Sequence, residues 1–335
     1  MGFGSVVSRG ILIIFQHNYF KNSPLVLIAI ATTFLTGCPD GFKSPAGTLS
    51  ASQCTETQSL QPDRFIIGGS ETTSRSFMIS LQSVAADRHI CGASLIASGW
   101  ALTAAHCVDG TQPSQIRLEI GSNDLGMGQK VNVDEIILHP ELSLDFETEF
   151  ANDIALLRLS EEVEDLAPVA IDLGLLNSQI NQFNEFELLG WGDTEIGDGL
   201  TLPNTLQRGI VDTVNPSVCE NLLGFFNSDL FLCFVDTSET QGSCNGDSGG
   251  PAVAYLQNGT PVQVGLTSFG FEGCSPDLPS VYTRVQTYIP WITEYVELPS
   301  LSDLEPVVDR EPAQVDVKVE DQSEDQQSSP EAQGC

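Results

Sequence analysis

Three short segments, far apart in the chain, limit the folds open to it. Gly246-Asp247-Ser248-Gly249-Gly250-Pro251 offers a serine on a glycine-rich turn, Thr103-Ala104-Ala105-His106-Cys107 offers a histidine, and Asn152-Asp153-Ile154-Ala155-Leu156-Leu157 offers an acid. A serine hydroxyl is a weak nucleophile at its own pKa, so acyl transfer needs a base to take its proton and an acid to orient that base. His106, Asp153 and Ser248 fill those roles only in a fold that carries all three to one place. Each segment alone has a plainer reading: a Gly-rich turn, a structural histidine beside a cysteine, an acid at the head of a strand. All three in this order are much harder to obtain by accident.

Between Ile66 and Tyr288 the chain reads as short β-rich runs, among them Met78–Val84, Ile116–Ile120, Val131–Leu138, Phe186–Gly190 and Val262–Ser268, broken by Gly, Pro, Asn and Asp. Many short strands separated by turn signals imply an all-β sandwich or barrel. With 335 residues, 41% of them hydrophobic, the chain can bury a sizeable core, and its length is compatible with one large all-β unit carrying flanking segments.

Acids number 45 against 13 bases, a net charge of −32. A surface of that sign repels phosphate, which argues against nucleic acid as a partner. Part of the charge is localised: residues 297–335 hold 11 acids and 2 bases, a net of −9, among Pro, Ser, Gln and Val with no aromatic residue. Such a stretch buries too little apolar surface to offset its ordering entropy, and it is expected to be a disordered acidic tail, either a solvated spacer or an inhibitory or partner-binding segment.

After Lys21 the run Leu25–Leu35 is 11 residues of mostly apolar character, too short to span a bilayer and right for the apolar region of a signal peptide. It ends in Leu35-Thr36-Gly37-Cys38, which resembles the lipobox of bacterial lipoproteins; that resemblance implies cleavage before Cys38 and acylation of its thiol. An ordinary signal peptide cut nearby is the plainer alternative. Several acyl chains on one cysteine anchor stably where one is marginal. Residues 39–63, rich in Ser, Thr, Gln, Gly and Pro, read as a flexible tether holding the rest on the order of 28 Å from the lipid.

The order His, Asp, Ser and the residues around each member closely resemble the chymotrypsin/trypsin-like serine proteases, over about Ile66 to Val296. The resemblance implies two antiparallel six-stranded β-barrels facing across a cleft, closed by a C-terminal helix over Tyr288–Val296. The first barrel then contributes His106 and Asp153 and the second Ser248. Further implied roles are support of Asp153 by Ser268, and an oxyanion hole formed by the N–H groups of Gly246 and Ser248, where a side chain at position 246 would crowd the turn. Three disulfides are implied, Cys91 with Cys107, Cys219 with Cys233 and Cys244 with Cys274, each worth about 3 kcal/mol if unstrained and consistent with an oxidising location. Cys54 and Cys335 remain unassigned; they can pair with each other.

Relatives are cut immediately before an Ile-Val-Gly-Gly-like start, and the new ammonium pairs with the acid preceding the nucleophile. Ile66-Ile67-Gly68-Gly69 and Asp247 match those two parts, but Phe65 stands where a basic residue is usual and Arg64 lies one place too early. A cut after Arg64 misplaces the charge by about 3.5 Å. The expected cut is therefore after Phe65, by a protease with aromatic preference or by the enzyme itself. By alignment on the Ser248 turn, Gly242 is the floor of the pocket for the residue before the scissile bond, with Ser243, Gly270 and Ser280 as walls. Without an acid at the floor a buried Lys or Arg lacks its partner, so medium apolar residues are expected instead. Ser268, Phe269 and Gly270 are expected to pair with extended peptide as an edge strand.

The organisation expected from sequence is a lipoprotein-type signal over 1–37, a polar tether and propeptide over 38–65, a serine endopeptidase domain over 66–296 and the tail over 297–335. It implies an exported protein, lipid-anchored at a bacterial membrane and facing the periplasm or exterior, acting on protein or peptide substrates. No cofactor and no metal are expected; residues 121–133 lack a convincing calcium ligand pair. One rival is a catalytically silent binding module of the same fold. An esterase with a Gly-x-Ser-x-Gly elbow is the other, and the position of the serine last in the chain excludes it.

Overall fold

In a computed structural model, residues 12–13, 66–72, 75–146, 149–174, 185–195, 201–236, 240–256 and 258–298 are described. Cys38, Cys54, Arg64, Phe65, Cys335, the signal, the tether and nearly all of the acidic tail lie outside them. Among the described residues no helix is long and apolar enough to cross a membrane.

Six strands close the first barrel: β1 (Met78–Ser83), β2 (Arg88–Ala97), β3 (Trp100–Thr103), β4 (Ile116–Ile120), β5 (Gln129–Leu138) and β6 (Ala155–Leu159), antiparallel in the ring order β6-β3-β2-β1-β4-β5. The strands follow from their patterns. In β5, Val131 and Val133 are buried while Lys130, Asn132 and Asp134 alternating with them are exposed, the period-two alternation of a strand with one wet face. β1 is buried at every position but its last, because both of its faces are covered.

The second barrel comprises β7 (Phe186–Gly190), β8 (Gln207–Thr213), β9 (Phe231–Val235), β10 (Pro251–Tyr255), β11 (Pro261–Phe271) and β12 (Ser280–Arg284). They run β11-β10-β7-β8-β9-β12, and pairing of β11 with β12 closes the ring. Both barrels match the expected architecture. The short strands Ser70–Glu71 and Ala170–Ile171 add to β8 and β11, and Leu12–Ile13 pairs antiparallel with Phe271 and Gly270 at the end of β11.

One helix was absent from the sequence reading. α1 (Pro216–Leu223) starts at Asn215, whose side chain accepts from the Ser217 N–H at 3.0 Å, with Pro216 at its first turn, and stops at Gly224 in the left-handed conformation. The expected terminal helix is shorter than Tyr288–Val296: a 3₁₀ turn over Val285–Tyr288 leads into α2 (Ile289–Ile292). Helical hydrogen bonds still continue past it, from the Thr293 N–H to the Ile289 carbonyl and from the Val296 N–H to the Ile292 carbonyl.

α2 follows the second barrel in the chain but packs on the first. Trp291, Ile292 and Val296 join one apolar core with Leu102, Leu156 and Val131, and that core runs on into Leu189, Val253 and Leu266 of the second barrel. The barrels are also joined by buried polar contacts. Ser94 Oγ donates to Gln263 Oε1 at 2.6 Å, and the Gly92 N–H donates to the Ser248 carbonyl at 2.8 Å. All three expected disulfides are formed: Cys91–Cys107, Cys219–Cys233 and Cys244–Cys274.

Candidate active site

His106 sits in a 3₁₀ turn (Ala105–Cys107) that leaves β3, and Asp153 stands two residues ahead of β6. β3 and β6 are paired neighbours, so the ends of both strands bring the two side chains to one edge of the first barrel. Asp153 Oδ2 accepts from His106 Nδ1 at 2.7 Å, and Oδ1 accepts from the His106 backbone N–H at 2.8 Å. Ser268 Oγ, from β11 across the cleft, donates to the same Oδ2 at 2.5 Å. Burial pushes the Asp153 carboxyl up, but the facing His106 and these donors outweigh it and hold the group below the usual carboxylate range. Thr283 Oγ1 fixes the Asp153 carbonyl at 2.9 Å.

Asn152 supplies a constraint that the sequence reading missed. Its φ is +57°, in the left-handed region, where Asn is tolerated better than most side chains. Its amide nitrogen donates to the Glu141 carbonyl at 2.7 Å, and its Oδ1 accepts from the Tyr288 hydroxyl at 3.1 Å. Tyr288 immediately precedes α2, so the docked terminal helix helps to set the backbone that presents Asp153.

Ser248 lies across the cleft from these groups, at the Gly246–Gly250 turn. Its hydroxyl is buried and makes no hydrogen bond among the described residues, so the structure pairs His106 with Asp153 but not with Ser248. His106 Nε2 lies 3.7 Å from Cys107 Sγ, which in turn is 3.6 Å from the Ser248 carbonyl oxygen. The N–H groups of Gly246 and Ser248 donate to no group among the described residues, which leaves two adjacent donors for an anion. Gly246 has a φ of +103°, and a Cβ there would come within 3.0 Å of the Gly192 Cα, so glycine is required as expected.

The Gly246 carbonyl is itself held. It accepts from His89 Nε2 at 2.9 Å, and because a carbonyl only accepts, Nε2 carries the proton and Nδ1 receives the Ser80 hydroxyl at 2.9 Å. Burial keeps this imidazole neutral, pushing its pKa down to about 4.

Asp247 is buried. Its two carboxylate oxygens accept the Gly192 and Cys244 N–H groups at 2.8 and 2.9 Å, but burial dominates and raises its pKa to about 7. Ile66 is fully buried, and Ile67 bridges to Gly242, whose N–H donates to the Ile67 carbonyl at 3.2 Å. The segment expected to become the new N-terminus is thus tucked against the loop that carries Gly242.

Two cavities lie among the expected site residues. Gly242, Ser243, Gly270 and Ser280 line one of them together with Phe271, Cys274, Ser275 and Leu278, and it holds only about 10 Å³. The other, about 850 Å³, has His106, Cys91, Cys107, Asn245 and Gly246 among its lining residues and extends along Val84, Ile90, Ile116 and Leu202. Phe269 lines neither cavity; its ring is buried in an aromatic cluster with Phe146, Phe150, Phe225 and Phe231.

The sequence model of the Trypsin family matches residues 66–292. The chain belongs to the trypsin family of serine endopeptidases. Among curated trypsin-family relatives it is 35% identical to fibrinolytic enzyme isozyme C of Lumbricus rubellus over 247 residues, covering 68% of this chain and 98% of that protein. It is 32% identical to serine proteinase stubble of Drosophila melanogaster over 269 residues, 74% of this chain and 33% of that protein. To vitamin K-dependent protein C of Oryctolagus cuniculus it is 34% identical over 221 residues, 62% of this chain and 46% of that protein. The chain therefore spans a third to a half of two of these relatives and nearly all of the third.

Proposed function

We propose that this trypsin-family chain hydrolyses peptide bonds through Ser248 as nucleophile, His106 as base and then acid, and Asp153 as the orienting carboxylate. Ser248 attacks the scissile carbonyl while His106 takes its proton. The N–H groups of Gly246 and Ser248 receive the oxyanion, and His106 returns the proton to the leaving amine. Water then releases the acyl group by the same steps in reverse roles. The reading is carried by the three-point grip on Asp153, from the His106 ring, the His106 backbone and Ser268, since this fixes the imidazole tautomer that leaves Nε2 free to accept a proton.

The chain is made as a zymogen and cut after Phe65. The new ammonium at Ile66 then supplies Asp247 with the cation that it lacks among the described residues. Cleavage follows medium apolar residues rather than Lys or Arg, and the slot above Gly242, about 10 Å³ in the uncut chain, has to widen before such a side chain fits. Upstream, Cys38 carries the lipid that holds the exported enzyme at a bacterial membrane, and the tail over 297–335 is a solvated acidic spacer.

The unbonded Ser248 hydroxyl favours a second reading, a silent binding module of the same fold. One experiment separates them: a fluorophosphonate probe followed by peptide mass spectrometry and N-terminal sequencing. Label on Ser248 in a chain that begins at Ile66 supports the peptidase and its activation site; a chain that begins at Ile66 and takes no label supports the binding module.

A further inference from the structure

From a charged cavity on the outer face of the second barrel, we infer that this chain binds the carboxyl end of a peptide that terminates in a large apolar residue. The site stands without the peptidase reading above; only the source of its ligand rests on that reading. Along β8 burial alternates, with Gly209 and Val211 inside and Arg208 and Ile210 on the wet face. Arg208 and Ile210 line a cavity of about 490 Å³, within the size range of ligand sites. None of its lining residues lines the cavity beside His106 or the slot above Gly242.

The class of ligand follows from which groups are already satisfied. Glu187, on β7 opposite Ile210, is buried; its carboxylate accepts from Arg75 Nη2 at 3.2 Å and from the Tyr255 hydroxyl, and Arg208 Nε lies 3.3 Å away. Burial, and then the facing Glu187, push the Tyr255 hydroxyl up from its ordinary value, so it stays a proton donor. Three donors on one carboxylate leave it no need of a cation. The surplus is on the donor side, because the two terminal nitrogens of Arg208 bond no other described group. Two guanidinium groups against one buried carboxylate leave a net positive charge, which an anion offsets. They are two of the 7 bases in residues 66–296, which hold 31 acids. Glu185, exposed at the rim, is the other carboxylate of the lining and repels a second negative charge on the ligand. That sets aside the tail over 297–335, whose net charge is −9. Phe186, Ile210 and the ring of Tyr255 supply apolar wall. One carboxylate joined to one large apolar side chain is what hydrolysis after such a residue leaves, and a cut after Phe65 leaves it on the propeptide.

The test is isothermal titration calorimetry on the full chain carrying Ser248→Ala. N-acetyl-phenylalanine and N-acetyl-leucine are expected to bind with a Kd below about 1 mM, and their amides, acetate and phosphate at least about tenfold more weakly. Adding Arg208→Gln or Ile210→Ser, both on the wet face of β8, is expected to weaken N-acetyl-phenylalanine at least about tenfold. Carboxyl ends also visit the cleft beside Ser248, and these two variants separate the sites: affinity that persists in both overturns the inference. Equal affinity for acid and amide, or no binding at all, overturns it as well. The peptide Gln61-Pro62-Asp63-Arg64-Phe65 with a free carboxyl distinguishes the sources of the ligand. Tighter binding than N-acetyl-phenylalanine assigns the site to the cut propeptide; equal or weaker binding assigns it to apolar carboxyl ends released from substrates. Absence of fluorophosphonate label in a chain that begins at Ile66 overturns the peptidase reading alone, because this binding is read on Ser248→Ala protein.

Discussion

The carboxylate of Asp153 is held by single atoms, and each can be removed on its own. Ser268 Oγ donates to a buried ionised oxygen, a bond of the charge-assisted kind worth about 1.5–3 kcal/mol. Ser268→Ala is expected to lower kcat by about tenfold to a hundredfold with little change in KM, as measured by steady-state kinetics on a peptide; a KM effect of equal size would place Ser268 in substrate binding instead. Asn152 acts one step further back. Asn152→Gly keeps the left-handed backbone but loses the bonds to Glu141 and Tyr288, whereas Asn152→Ala loses the same bonds and adds strain of about 1 kcal/mol. The alanine variant is therefore expected to have the lower kcat and the lower melting temperature of the two, and equal values would contradict a role for the backbone conformation. The pairing of His106 with Asp153 was legible in sequence because short motifs surround both residues, and the Ser268 support was legible only through the family resemblance. Asn152 was not, since its tie to Tyr288 spans 136 residues and has no local signature. The small size of the Gly242 slot was illegible for the same reason: loop packing decides it.

The Gly246–Gly250 turn and strand β2 carry two buried groups whose protonation acts on stability in opposite directions. His89 on β2 has an ordinary value of 6.5 and is pushed down to about 4. Between those values the folded chain binds fewer protons than the unfolded chain, so its contribution grows as pH rises from 4 to 6.5. Asp247 has an ordinary value of 3.8 and is raised to about 7. Across that window the folded chain binds more protons, so its contribution is lost as pH rises. The two slopes oppose each other below pH 6.5, and above it only the loss from Asp247 remains. Uncut protein carrying Ser248→Ala, which cannot process itself, is therefore expected to lose stability from pH 6.5 to about 7.5 in urea titrations. Protein cut after Phe65 is expected to show no such loss, because the ammonium at Ile66 compensates the charge on Asp247. An unchanged slope after the cut would show that the ammonium does not reach it. Strands such as β5 were legible as elements through their alternation. α1 carried its own signals in Asn215-Pro216 and Gly224, but eight residues give too little periodicity for those caps to stand out from a loop.

At the scale of the whole molecule, the site depends on two barrels joined at their seam: the first barrel's core takes in Leu189, Val253 and Leu266 of the second, while Phe186, Val211, Phe234 and Tyr282 form the second barrel's own core. His106 and Asp153 come from one barrel, Ser248 and Ser268 from the other, and their register is set by contacts that cross between them: Gly92 to Ser248, Ser94 to Gln263, and Thr283 to Asp153. The terminal helix reinforces this, because the chain leaves the second barrel and returns to dock Trp291 on the first. There the indole ring meets His139 at 5.2 Å between centroids, within the core that reaches Leu266 of β11. A sequence pattern can announce an apolar helix, but not which barrel receives it. Removing the anchor is expected to act on both barrels together. Trp291→Ala leaves a cavity and is expected to cost about 3–5 kcal/mol. Because apolar residues of the second barrel lie in the first barrel's core and buried hydrogen bonds cross the seam, calorimetry is expected to show a single transition at lower temperature, with calorimetric and van't Hoff enthalpies still equal. Two resolved transitions, only one of them shifted, would mean that the barrels fold independently and that the active-site cleft is a junction between separate domains.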